Sequence, residues 1–304
     1  MSYNNLRLIH FLQVNSKKSN AVKQKDDNFC LVRINALLEE KPNLFLIHPV
    51  GGTVHIYRDL AQSLENVATV YGLQAKALDG HSNPELSIPM MATHYINCIK
   101  KFQPKGKYNI GGASFGGMVA YEMAQQLYRS GHRVNLLFML DTPSPNHYPK
   151  TLPTDSDVIR YMLEVGAQHT PDSMFETYSL EEQLNYFLKH AGGLGKALSE
   201  FNHNHLKRFL EIYQCNIKAM FSYKPQPPCH HSLNAHFYRA LKRDTINPEH
   251  PEQGWKDLLG DKLHVDNTLG NHITMLFNPY VRTIGKSLTQ LIDERNHCFT
   301  SATN

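Results

Sequence analysis

The 304-residue chain reads as a mostly parallel α/β domain carrying a helical insertion, and three features predict it. Leu44–His48 is a continuous apolar run of strand length, as expected of a strand covered on both faces, and Val67–Leu73 and Val134–Leu140 read as further, mainly apolar strands. Helix-period stretches alternate with them at Tyr57–Leu64, Ile88–Phe102 and Val119–Tyr128, the order that lays helices on both faces of a parallel sheet. Glycine-dense turns, Pro49-Val50-Gly51-Gly52 and Gly111-Gly112-Ala113-Ser114-Phe115-Gly116-Gly117, close two of the strands.

Composition excludes several function classes. A hydrophobic fraction of 41% and a charged fraction of 19% describe an ordinary globular domain. The net charge of +4 is spread thinly with no arginine stripe, so no nucleic-acid partner is expected. No stretch approaches the ~18 apolar residues of a membrane span. Leu6–Val14 is interrupted by Arg7, His10 and Gln13 and reads as a short amphipathic element rather than a signal peptide. Cys30, Cys98, Cys215, Cys229 and Cys298 form no Cys-x-x-Cys pair, which predicts free thiols in a reducing compartment and a cytoplasmic location. Histidine pairs such as His203/His205 and His230/His231 lack zinc-site spacing, so no metal is expected.

Taken in order, residues 1–29 form an N-terminal extension whose Ser16–Asn28 portion, with Lys17, Lys18, Lys23 and Lys25, is a solvated linker. The domain proper spans 30–298 and starts with a strand at Cys30–Ile34. Leu44–His48 is the next strand, closed by the Gly51-Gly52 turn. Asp79-Gly-His-Ser82 faintly echoes a phosphopantetheine attachment site, but Pro84 follows and no helix begins there. Lys100, Lys101, Lys105 and Lys107 read as a solvated face, with a docking patch for an acidic partner as the alternative. From about 145 to 220 the pattern turns helical, with Gly192-Gly193 and Gly195 between helices, the natural place for a lid. Strands follow at Asn234–Arg239 and Lys262–Val265, then a helix at Pro279–Ile292 and a tail at 299–304.

Gly112-Ala113-Ser114-Phe115-Gly116 fits G-x-S-x-G between a strand and a helix. The turn is tight enough to strain the serine backbone, and a Cβ at 112 or 116 would strike the neighbouring helix or strand. The following helix aims its dipole at any negative charge that forms there. A serine hydroxyl needs a base, and the base needs an orienting carboxylate. His272, in the glycine-flanked loop Thr268-Leu-Gly-Asn-His272, is the candidate base; His264 lies within a strand and His297 near the C-terminus. Asp141 and Asp244 compete as the acid. Asp141 is favoured because it ends a long apolar strand, whereas Asp244 sits between Arg243 and a polar loop. The backbone N–H groups of Val50 and Phe115 are the candidate oxyanion donors.

Several blocks carry a family resemblance: His48-Pro-Val-Gly-Gly52, Tyr71-Gly-Leu-Gln74, Leu78-Asp79-Gly80, Phe102-Gln-Pro104, the run from Gly112 to Ala124, Leu140-Asp141, Gly254-Trp255 and Gly270-Asn-His272. Over residues 30–294 the chain resembles the thioesterase domains that end non-ribosomal peptide and polyketide synthases. That resemblance implies an α/β-hydrolase fold and a Ser114–Asp141–His272 triad. It also implies oxyanion donors at Val50 and Phe115, and a lid admitting the phosphopantetheine arm of an acyl or peptidyl carrier protein, with no cofactor of the chain's own. Stand-alone editing members generally carry the acid one strand later, near Asp244. Ala113 departs from the bulky residue common in the family, which implies a wider pocket beside the nucleophile. An editing thioesterase, an acyl-CoA thioesterase, a carboxylesterase and a non-catalytic carrier-binding module stay open as alternatives.

Overall fold

The computed structural model describes residues 30–143, 151–165, 175, 177–190, 203–242, 250 and 252–300. The expected N-terminal extension, the Gly192-Gly193 and Gly195 segment and Asp244 lie outside the described residues. In chain order the elements are β1 (Leu31–Arg33), β2 (Asn43–Ile47), α1 (Arg58–Ser63), β3 (Thr69–Leu73), α2 (Ile88–Phe102), β4 (Lys107–Ala113), α3 (Phe115–Arg129) and β5 (Arg133–Leu140). Then come α4 (Asp155–Val165), α5 (Leu180–His190), α6 (His203–Ser222), β6 (Ala235–Ala240), α7 (Gln253–Leu259), β7 (Leu263–Thr268) and α8 (Val281–Thr300). The last helix thus continues to Thr300, past the expected end near Ile292.

The strands form one seven-stranded sheet in the order β1-β3-β2-β4-β5-β6-β7. β1 is antiparallel to β3, and every other neighbouring pair is parallel. The continuous apolar runs are explained by burial on both faces. On β2, Phe45 and Ile47 join the core packed under α2 and α3, while Leu44 and Leu46 join the core under α1 and α8. The same alternation divides Leu137 and Met139 from Leu136, Phe138 and Leu140 on β5. The insertion between β5 and β6 has a core of its own, with Val158, Ile159 and Leu163 of α4 against Leu184 and Phe187 of α5 and Leu206 and Phe209 of α6.

Cys30 and Cys98 are joined as a disulfide, which corrects the expectation of free thiols throughout. The pairing arises because the edge strand β1 packs against α2, bringing together residues 68 apart in sequence, a contact that cysteine spacing does not encode. Cys215 and Cys229 are free. With Cys30 and Cys98 joined, the cysteines no longer point to a reducing compartment. No helix among the described residues is long and apolar enough to cross a membrane.

Candidate functional site

Because β2 to β7 run parallel, the residues that follow β2, β4, β5 and β7 gather along one edge of the sheet. Ser114 follows β4 with φ 54° and ψ −124°, a conformation that L-residues adopt only when their surroundings impose it. Those surroundings are visible on both sides. A Cβ on Gly112 would lie 2.4 Å from the Gly116 carbonyl carbon, and one on Gly116 would lie 2.3 Å from the Ile47 carbonyl oxygen. A Cβ on Gly117 would come within 1.9 Å of Thr142 Oγ1. α3 begins at Phe115, directly after the serine as expected, and close approach to β2 and to residue 142 demands glycine within its first turn. The Phe115 N–H, at the first position of α3, has no acceptor within the helix.

Asp141 is fully buried with φ 46°, and its N–H donates to the Tyr238 carbonyl at 2.8 Å. Its Oδ1 accepts from the Ala240 N–H at 3.0 Å, and its Oδ2 lies 2.9 Å from His272 Nδ1. An ionised carboxylate can only accept, so His272 carries its proton on Nδ1 and presents the Nε2 lone pair. Trp255 Nε1 donates to the Thr142 carbonyl at 2.9 Å and so fixes the backbone just beyond the acid. The His272 loop is held as firmly. Asn271 Oδ1 accepts from the N–H groups of Ile273 and Thr274 at 3.2 and 2.8 Å, an Asx turn. Gly270 supplies the positive φ of 89° that starts it. Ser114 is tied to the same strand end as Asp141, its N–H donating to the Leu140 carbonyl at 2.9 Å.

At the end of β2, His48 is fully buried with Nδ1 2.7 Å from the Pro49 carbonyl and Nε2 2.6 Å from the Tyr95 hydroxyl. A carbonyl cannot donate, so Nδ1 bears the proton and Tyr95 donates to Nε2. Burial lowers the His48 pKa to about 4, so the ring is neutral. It stacks on the Phe115 ring with centroids 5.8 Å apart. Tyr57, also fully buried, donates to the Ile47 carbonyl at 2.5 Å and accepts from the Ala113 N–H at 2.8 Å, pinning β2 to the residue before the serine. Sequence reasoning singled out neither Tyr57 nor Tyr95, since only the packing of α1 and α2 brings their hydroxyls to the strand ends.

Other expectations settle differently. Ala113, expected to widen the pocket, is buried in the core face under α1 and α8. The Asp79–Ser82 string is an Asp-closed turn, with Asp79 Oδ1 accepting from the His81 and Ser82 N–H groups at 2.8 and 2.7 Å. Lys107 opens β4 at the end opposite Ser114, about 20 Å away along a seven-residue strand, so the lysine patch does not flank the serine. Among the described residues one group of possible metal ligands lies together, Cys30, His94 and Cys98. With the two sulfurs joined, it offers a single imidazole.

Comparison with known proteins adds the following. The family profile described as "Thioesterase domain" matches residues 42–288. A dimodular nonribosomal peptide synthase of Bacillus subtilis (strain 168) is 30% identical over 260 residues, covering 84% of this chain and 11% of the synthase. A non-reducing polyketide synthase, crz7, of Cladonia metacorallifera is 26% identical over 263 residues, covering 84% of this chain and 12% of the synthase. The chain thus spans only about a ninth of these relatives. Among solved structures, the four-domain nonribosomal peptide synthetase AB3403 superposes with a TM-score of 0.72 at 25% identity, over 86% of this chain and 20% of that one. The Vlm2 thioesterase domain bound with a dodecadepsipeptide superposes with a TM-score of 0.62 at 22% identity, over 87% of this chain and 98% of that one, a likeness of fold.

Proposed function

This chain belongs to the thioesterase domain family, and on that premise we propose that it releases an acyl, peptidyl or polyketide chain from the phosphopantetheine thioester of a carrier protein. Ser114 is the nucleophile, His272 the base and Asp141 the acid that orients it. His272 Nε2 takes the Ser114 proton as Oγ attacks the thioester carbonyl. The N–H groups of Val50 and Phe115 hold the resulting oxyanion, each contributing about 3 kcal/mol of transition-state stabilisation. The C–S bond then breaks, and the thiolate leaves with the proton that His272 carries. Water, or a nucleophile within the acyl chain, gives its proton to His272 and attacks the Ser114 ester. That step frees a carboxylic acid or a ring and restores the serine.

The observation that carries this reading is the Asp141 carboxylate, buried, held through Oδ1 by the Ala240 N–H and bonded through Oδ2 to His272. It supports Asp141 over Asp244 as the acid, since His272 is paired with the residue that directly follows β5. α6 packs on the turn at Val50–Gly52, which supports reading the insertion as a lid for the phosphopantetheine arm. The synthase relatives do not favour an editing enzyme, an acyl-CoA thioesterase, a carboxylesterase or a non-catalytic module. Intact-mass measurement after incubation with acyl-pantetheine thioesters tests the proposal. An acyl adduct on Ser114, absent from Ser114→Ala, is expected; undiminished thioester hydrolysis by Ser114→Ala overturns it.

A further inference from the structure

We propose that Asn216, on α6 of the insertion, is a positioning residue for the oxyanion donor Val50. This rests on the reading above, in which the Val50 N–H holds the oxyanion. Asn216 is 2% exposed, and its Nδ2 donates to the Val50 carbonyl at 2.8 Å across 166 residues of sequence. The same face of α6 packs on the next two residues of the loop. A Cβ on Gly51 would lie 2.9 Å from the Phe209 ring, and one on Gly52 would lie 2.8 Å from Ile212 Cγ2. Residues 209, 212 and 216 recur at helical spacing, so one stripe of α6 seats the whole turn.

The opposite side of the turn is held independently. The Pro49 carbonyl accepts from His48 Nδ1 at 2.7 Å and from the Gly52 N–H at 2.9 Å. That carbonyl and the Val50 N–H are the two ends of one planar peptide, so fixing the oxygen fixes the direction of the N–H. Asn216 fixes the following peptide through the Val50 carbonyl. With both planes held, no soft dihedral is left at Val50 to swing its N–H away from an oxyanion. Packing does not explain the amide. Neighbouring positions on α6, Ile212, Ile217, Ala219 and Met220, are buried and apolar, and a buried amide costs stability unless it is bonded. What Asn216 supplies is a donor to this loop. The insertion is thereby part of the catalytic frame as well as a cover over it.

The test compares Asn216→Leu and Asn216→Ser with wild type in the full chain, using an acyl-N-acetylcysteamine thioester and a fluorophosphonate. The expected result is a 10- to 100-fold fall in the acylation rate with KM changed less than threefold. Phosphonylation of Ser114 should slow by a similar factor, because the phosphoryl oxygen occupies the same hole. Leu210→Ala, which loosens the same helix from the insertion's own core, should stay within threefold of wild type. Wild-type acylation in a folded Asn216 variant, or an equal loss in Leu210→Ala, overturns the proposal. Hydrogen exchange on the wild type reads it without any variant: the Gly52 amide, bonded to the Pro49 carbonyl, exchanging over a hundredfold faster than the amides of α6 would also overturn it. Failure of the underlying reading shows elsewhere, as thioester hydrolysis that survives Ser114→Ala.

Discussion

His272 Nδ1 and Asp141 Oδ2 lie 2.9 Å apart across 131 residues of sequence, and the other oxygen of that carboxylate is already bonded to the Ala240 N–H. Both faces of the acid are therefore committed as acceptors. In Asp141→Asn the amide must turn its NH2 toward one of two N–H donors, Ala240 or His272. Facing His272, it forces the ring into the tautomer with its proton on Nε2, where it cannot accept from serine. We expect kcat for thioester hydrolysis to fall by about 10³- to 10⁴-fold, with the fold retained. A loss below tenfold, measured by thiol release near neutral pH, would take the acid role away from Asp141.

Gly116 separates steric demand from backbone conformation. Its Cβ would meet the Ile47 and His48 carbonyl oxygens at 2.3 and 2.7 Å, and neither belongs to a side chain that can turn aside. Gly116→Ala should cost about 3 kcal/mol or more, since the helix must lift away from β2. Gly131 has φ 78° with nothing within 4 Å of a built Cβ, so Gly131→Ala should cost only the conformational term of about 1 kcal/mol. Urea unfolding of the two variants gives the ratio directly. Equal losses would mean that close approach is not what requires glycine at 116.

Tyr57→Phe removes one oxygen and strands two buried backbone groups, the Ile47 carbonyl and the Ala113 N–H. Each unsatisfied group costs about 1–3 kcal/mol, so a loss of about 2–6 kcal/mol in unfolding free energy is expected. Acylation should slow as well, because Ala113 directly precedes the strained serine. A variant as stable as wild type would show that water or a shifted backbone satisfies both groups.

What the sequence made legible was local. α2 was readable to the residue because Ser87 caps it, Pro89 sits in its first turn and Pro104 follows its end. The turn at Ser114 was readable because its glycines answer to atoms within a few residues or on the adjoining strand. Asp141 was readable because a long buried strand delivers it to a fixed place. The illegible contacts join distant segments through side chains whose types fit many roles. A tyrosine in a helix, as Tyr57 nearly is, normally predicts packing, and an asparagine at 216 predicts a solvated position. Cys30 and Cys98 likewise show no spacing that pairs them. Their partners are set by which helix lies on which sheet face, a property of the assembled fold.

The buried histidines predict how stability depends on pH. Burial lowers His48 to about 4, and burial together with the nearby Arg295 and His264 lowers His236 to about 4. Unfolded, each ring would titrate near the ordinary value of about 6.5. Between about pH 6.5 and 4 the unfolded chain therefore binds protons that the folded chain refuses, and acid favours unfolding. The stability is fully present above about pH 6.5 and is lost as pH falls toward 4. For His48 alone the whole span is worth about 3 kcal/mol. At His236 the geometry suggests a clean variant: its Nε2 lies 3.0 Å from Arg295 Nη2 and its ring stacks on His264 with centroids 5.0 Å apart. A protonated ring there would face a guanidinium and a second imidazole. His236→Gln keeps an acceptor for Arg295 and removes the titration. Urea unfolding at pH 7, 5.5 and 4.5 should show the variant losing less stability than wild type on acidification. A steeper acid loss in the variant, or stability rising as pH falls toward 4, would contradict the assignment of a neutral imidazole at 236.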